Sequence, residues 1–185
     1  MSDGPHDLAA ALDAARATLA RAVADRGAGA HHVTLATLGP DGWPEARTVA
    51  LRAADLEGAS LTIQTDLATG KVAALRAHPR AEVHVWHPET CHQLRLRCEA
   101  RLRHGAATAD AWAMMPASAR LSYGKAPPAG TPIDTALGYE VTSDPEAFVV
   151  IDLRVVRFDL LYLGAVHKRA VFLHGSAWQG RWISP

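Results

Sequence analysis

Surplus charge is the first thing this 185-residue sequence lacks: Lys plus Arg and Asp plus Glu number 19 each. Such a balance argues against a general nucleic-acid binder or a protein drawn to anionic membrane surfaces. Long apolar runs are missing too. None approaches the roughly 18 residues that mark a membrane span, and the polar N-terminus has no apolar core of an export signal. Cysteine is scarce, with only Cys91 and Cys98 present. Their separation would turn them to opposite faces of one strand, which makes a poor disulfide and a poor zinc site. The 10 histidines cluster only at His84, His87 and His92 and at His31–His32. No helical H-x-x-x-H and no C-x-x-C accompanies them, so no metal is expected. There is no repeat and no low-complexity segment. What remains is a reduced, cytoplasmic chain read as one domain over residues 1–185, long enough for one good core.

What is present is strand-rich. Residues Asp7 to Asp25 are alanine-rich, with Leu8, Leu12, Leu19 and Val23 near helical spacing. They predict a helix that Gly27 stops and that packs outside whatever follows, within residues 1–27. His31 to Leu38 alternates as a strand, and Gly39 to Gly42 is a turn. Arg47–Arg52 and Leu61–Thr65 flank the turn residues Asp55 to Gly58 and read as a hairpin. Thr69 then opens a short helix that Pro79 closes. Ala81 to Trp86 is a further strand. Cys91 to Arg103 is a long one, with Leu94, Leu96 and Cys98 on one face and Gln93, Arg95, Arg97 and Glu99 on the other. Ala106 to Ala119 predicts a second helix, weakened by Pro116. Lys125 to Thr131 is a loop, Phe148 to Leu163 an apolar strand region, and Trp178 to Pro185 a closing strand. Six or seven strands with short helices between them imply an antiparallel β-barrel with peripheral helices.

The stretch Arg47 to Lys71 carries the chemistry. A strand feeding a helix start gathers free backbone N–H groups and a positive dipole end, ready for a phosphate. Arg47, Arg52 and Lys71 add positive charge nearby. Arg47 and Arg52, five apart in a strand, face opposite sides. Each residue has a plainer reading as well: solvated arginines, a Thr69 that only caps its helix, a surface Lys71, a solvated Gln93. Trp86, Trp112, Trp178 and Trp182 suit a cofactor cleft, the core or an interface equally well.

The order R-T-V-A-L-R, hairpin, T-x-x-x-T-G-K, helix, H-P-R-A, strand, then glutamine in a long alternating strand resembles the pyridoxamine-phosphate-oxidase-like flavoproteins. Those proteins have the FMN-binding split β-barrel. The likeness is good over residues 29 to 105, and the terminal W-I-S-P is similar to that family's usual ending. It implies FMN as cofactor, bound at a homodimer interface. Arg47 then matches a residue on the FMN phosphate or ribityl chain, and Val49, Ala50 and Leu51 match the strand whose backbone borders the flavin ring. Arg52 falls where the oxidases commonly have lysine, near the reactive edge, and is the catalytic candidate. Gln64 and Thr65 match a cofactor-touching pair, while Thr69, Gly70 and Lys71 match a phosphate-binding S-R-K. Gln93 matches a glutamine reaching the flavin from the neighbouring subunit, and Arg169 the late FMN-binding arginine, with His167 and Lys168 beside it.

Departures shape the expected activity. Gly70 replaces the arginine of S-R-K. The late Y-L-G-A-V-H-K-R is shorter than the family's pattern and lacks its substrate-side arginine. The tyrosine and arginine that grip the vitamin phosphate are not evident in Trp112 to Ser122. The expectation is an FMN-dependent oxidoreductase acting on a small substrate other than pyridoxamine phosphate. The alternatives are a flavin-binding protein without turnover, or a split barrel using deazaflavin or haem, with His84, His87 or His167 as axial candidates.

Overall fold

The computed structural model describes residues 4–25 and 31–185. The first helix, α1 (Leu8–Ala24), starts where the Asp7 carboxylate accepts the Ala10 N–H at 2.8 Å, as an N-cap should. The stop expected at Gly27 lies outside the described residues. The buried stripe of α1 is mostly alanine, with Ala11, Ala15, Leu19 and Ala22 in the core. Leu8, Leu12 and Val23 are only partly buried. Small side chains let the helix lie close on its neighbouring strands.

Five strands follow: β1 (His32–Leu38), β2 (Pro44–Asp55), β3 (Ser60–Asp66), β4 (Arg80–His87) and β5 (His92–His104). The short helix α2 (Gly70–Ala77) sits between β3 and β4. After β5 the helix expected over Ala106 to Ala119 is instead a 3-10 turn at Gly105–Thr108 and two short pieces. These are α3 (Ala109–Ala113) and α4 (Ala117–Arg120). Pro116 explains the break, because it lacks an N–H and disfavours helix at the residue before it. A two-residue pairing of β6 (Lys125–Ala126) with β7 (Glu140–Val141) closes an intervening loop. Then come β8 (Phe148–Tyr162), β9 (Lys168–Leu173) and β10 (Gln179–Ile183). Strand β9 was not anticipated as a separate element, since its polar start reads as part of a binding segment.

Strand β8 organises the sheet. Along one edge it pairs with β5 from Tyr162 to Val149; along the other it pairs with β3 at Phe148–Arg154 and then with β9 at Arg157–Tyr162. The β5–β8 pairing closes the strands in the order β8-β3-β2-β1-β4-β5, while β9 and β10 extend outward from β8. The result is the antiparallel split β-barrel expected from the pattern. Period-2 alternation fills its interior with Leu35, Leu51, Leu61, Ile63, Val83, Leu94, Leu96, Ile151 and Phe158, all fully buried. Phe158 and Phe172 stack at 4.5 Å, and the Trp178 indole N–H donates to the Leu56 carbonyl at 2.7 Å. Trp178 is therefore a core residue. A second, smaller cluster joins Met115 and Tyr123 to Phe148 and Val150 of β8, with Trp112 packed on it.

Candidate functional site

Strands β2 and β3 part company midway. Pairing between them runs only from Asp55↔Ser60 to Leu51↔Ile63, whereas β2 pairs with β1 from Ala50 back to Pro44. Beyond Ile63, β3 continues to Asp66 paired with β8. Among the described residues, no strand pairs with the second edge of Arg47–Ala50. Unpaired backbone donors and acceptors therefore line a gap that opens toward the start of α2. Val49 and Ala50 are half-buried there; the Leu51 side chain points into the core.

A polar cradle borders the gap. The Lys71 ammonium donates to the Thr65 hydroxyl at 3.0 Å, which is 3.3 Å from the Thr69 hydroxyl. Thr69 occupies the N-cap position of α2, but its side chain makes no cap bond; it donates to the Asp66 carbonyl at 2.7 Å. The Gly70 and Lys71 N–H groups at this start can serve another acceptor, whereas the Val72 N–H already bonds the Thr69 carbonyl at 2.9 Å. Burial and the neighbouring Arg47 charge hold Lys71 below the ordinary lysine value, against the opposing pull of Asp66. Two cations placed close enough to repel each other suit an anion between them. Arg47 donates to the Thr37 hydroxyl at 2.6 Å and forms an ion pair with Glu45. Gly70 has open space where a Cβ would stand.

Arg52 lies on the other face, as its five-residue offset from Arg47 requires, next to the irregularity at Leu51/Ala53. Its guanidinium is exposed and stands beside the Tyr123 phenol. Burial raises the Tyr123 hydroxyl above the ordinary tyrosine value, and Arg52 partly offsets that rise. Gln64 shares this outer face, opposite Val150. The Tyr123 ring is held edge-on by Phe148 at 4.9 Å and Trp112 at 5.9 Å. Next to it, Asp66 accepts the Gly124 N–H at 2.8 Å. A cleft of about 410 Å³ opens between the Asp66–Ala68 turn and the Gly124–Ala147 segment.

Gln93 and Arg169 are not brought to the cradle within one chain. They flank Leu161 of β8 from opposite sides, in the pairings Gln93↔Leu161 and Leu161↔Arg169. Arg169 donates to Asp159 at 2.9 and 3.0 Å, and the same carboxylate receives Arg95 at 2.7 Å and Arg157 at 3.4 Å. Burial works to raise the Asp159 carboxyl, but hydrogen bonds from Arg169 and Arg95 prevail and hold it below the usual carboxylate value. Three guanidinium groups on one carboxylate leave this outward face positive. His167, Lys168 and Arg169 line a separate 300 Å³ cleft with His6 and Trp182.

Glu45, Asp66, Tyr123 and Asp159 escaped the sequence reading. Glu45 carries a usable signal, because it lies two residues from Arg47 and so on the same strand face. Tyr123 lies one position past the Trp112–Ser122 segment, where the resemblance places a substrate-gripping tyrosine. Among the described residues no group of three or more His, Cys, Asp or Glu is arranged to hold a metal, and no helix is long and apolar enough to cross a membrane. Both cysteines are free, and burial pushes the Cys98 thiol up to about 12.

The family model described as pyridoxamine 5'-phosphate oxidase, FMN-binding domain, matches residues 13–104. Among solved structures, a pyridoxamine 5'-phosphate oxidase-related, FMN binding protein from Nostoc punctiforme is similar over 100% of both chains, at 25% identity and a TM-score of 0.76. PhzG from Burkholderia lata, solved in complex with tetrahydrophenazine-1-carboxylic acid, is similar over 99% of this chain and 95% of its own, at 19% identity and a TM-score of 0.71. A protein of the pyridoxinephosphate oxidase family from Clostridium acetobutylicum, related to general stress protein 26, is similar over 93% of this chain and 99% of its own, at 12% identity and a TM-score of 0.62. No curated protein matches the chain.

Proposed function

Because residues 13–104 place this chain among the pyridoxamine 5'-phosphate oxidase-like FMN-binding proteins, we propose that it binds FMN in the β2–α2 gap and acts as an FMN-dependent oxidoreductase on a small substrate. The observation that carries this reading is the unpaired edge of Arg47–Ala50 beside the Lys71–Thr65–Thr69 cradle. A strand edge left open against a cluster of cations calls for a flat, hydrogen-bonding ligand with an anionic tail. Lys71, Thr65, Thr69 and Arg47 would hold the phosphate, with the N–H groups at Gly70 and beyond. The Val49–Leu51 backbone would border the ring.

FMN supplies the two-electron chemistry when bound; the chain's own residues bind and orient. Arg52 would bring positive charge to the reactive edge, where it favours the reduced, anionic form. Tyr123 beside it would fix the direction in which that guanidinium points. Gln93 and Arg169 face outward on the β5–β8–β9 wall, which supports a homodimer in which each copy's wall completes the other's site. Vitamin oxidation is not part of the reading, since the substrate-side arginine has no counterpart.

An absorption spectrum of the purified protein, with heat release and chromatography of the chromophore, tests the cofactor. Released FMN supports the reading. A Soret band means haem; no chromophore and no uptake of added FMN overturns the site. The double variant Arg47→Ala/Lys71→Ala tests the placement. Loss of two charge-assisted contacts, each worth about 1.5–3 kcal/mol, should weaken FMN by about a hundredfold or more with the fold intact. Unchanged affinity would put the phosphate elsewhere.

A further inference from the structure

Asp66 is the last residue of β3 and is only 7% exposed. Each of its carboxylate oxygens has a separate task. Oδ1 accepts the Ala68 N–H at 2.8 Å, shaping the turn that presents Thr69 and Lys71. Oδ2 accepts the Gly124 N–H at 2.8 Å from a segment 58 residues away. The Asp66 carbonyl further receives both the Thr69 hydroxyl, at 2.7 Å, and the Thr69 N–H, at 3.2 Å. The cradle turn therefore depends on this one residue.

The far end of the clamp is equally constrained. Gly124 has a φ of +73°, and a Cβ there would stand 2.5 Å from the Thr142 hydroxyl and 2.8 Å from the Asp144 backbone nitrogen. Only glycine fits. The Gly124 carbonyl accepts the Thr142 N–H at 3.0 Å, which fixes the peptide from its other side. Tyr123, immediately before it, is thereby set beside Arg52. The Asp66 charge also acts on both halves of the site, opposing the loss of the Lys71 proton and of the Tyr123 proton.

We propose that Asp66 is a positioning residue that couples the cradle at the start of α2 to the placement of Tyr123 beside Arg52, so that filling the one orders the other. The identity of the anion rests on the FMN reading above; the coupling does not. Linkage makes the effect reciprocal: the factor by which ligand steadies the Tyr123–Gly124 segment equals the factor by which loss of the clamp weakens ligand. A plain structural staple would hold the segment equally well with or without ligand.

The test compares amide hydrogen exchange at Gly124 in the unaltered protein, alone and with saturating FMN, and measures FMN affinity in Asp66→Asn. That variant keeps the size but faces two N–H donors with one oxygen. FMN should slow Gly124 exchange several-fold, and Asp66→Asn should remove the slowing and weaken FMN by a similar factor. FMN binding that leaves Gly124 exchange unmoved, or an Asp66→Asn protein that binds FMN as tightly as the parent, overturns the coupling and leaves the cofactor reading standing. Should FMN not bind, inorganic phosphate replaces it as probe. Slowing by phosphate alone would sink the cofactor reading and keep the coupling; slowing by neither sinks the coupling. If Asp66→Asn does not fold, exchange in the unaltered protein decides.

Discussion

Glu45 grips the Arg47 guanidinium from two residues away on the same face of one strand. The arginine proposed to hold the phosphate is thus paired on its own strand before any ligand arrives. A phosphate must share or displace that carboxylate. Glu45→Gln keeps a hydrogen-bond acceptor and removes the competing charge. It should tighten FMN several-fold, on the order of 1 kcal/mol for one partly exposed charge, and less so in high salt. Weaker binding in that variant would mean Glu45 orients Arg47 rather than competes for it.

Lys71 gives the site a pH limit. Burial and Arg47 depress its ammonium below the ordinary lysine value of 10.5. If Lys71 holds the phosphate as proposed, that cationic partner is lost at lower pH than an unperturbed lysine would be. FMN affinity should fall as pH rises through that depressed value, and Lys71→Arg should bind FMN with a flatter profile, since arginine stays charged. For folding the sign is opposite. The unfolded chain binds this proton more tightly, so the cost of the buried ammonium is present at neutral pH and fades as pH approaches 10.5. Affinity that stays level to pH 10.5 in the parent would remove Lys71 from the phosphate site.

Gly70 offers a gain-of-binding test. The open space there admits a Cβ without displacing neighbours. Gly70→Arg should add a guanidinium contact at the start of α2 and tighten FMN by about tenfold, taking 1.5 kcal/mol as the low end for a charged hydrogen bond. Gly70→Ala is the control and should leave affinity near the parent's. Equal affinities for the two variants would show that the phosphate does not lie over this turn.

Much of the barrel was legible because the strands obey period 2. Leu94, Leu96 and Cys98 point inward and Gln93, Arg95 and Arg97 outward, as alternation demands. The cradle was legible too, since Thr65, Thr69 and Lys71 are close in sequence and the turn keeps them close in space. What alternation cannot reveal is which distant segment answers a side chain. Asp66 lies between the hairpin strand and Thr69, and nothing near it announces Gly124. Asp159 lies in the apolar strand region Phe148 to Leu163, yet three arginines from β5, β8 and β9 converge on it. Arg169 shows the same limit. Its charge suits a phosphate, but its closest partner is set by register with β8, which sequence spacing does not encode.

His92 supplies a prediction about stability that is independent of ligand. Its partner across the β4–β5 turn is His87, and both are buried. The His92 ring packs edge-on to Tyr162 at 5.6 Å, and its Nε2 has no hydrogen-bond partner among the described residues. Burial, and then the adjacent His87, lower its value from 6.5. A histidine depressed in the fold resists a proton that the unfolded chain accepts. Its stabilising contribution is therefore complete above pH 6.5 and is lost as pH falls through the interval down to the folded value. Tm should decline on acidification below pH 6.5. His92→Phe, which keeps the ring contact and cannot titrate, should decline less over the same interval. The difference between the two profiles is the quantity to measure. Parallel profiles would mean that His92 finds a proton acceptor in the folded protein and that the buried Nε2 is not the acid-sensitive point of this turn.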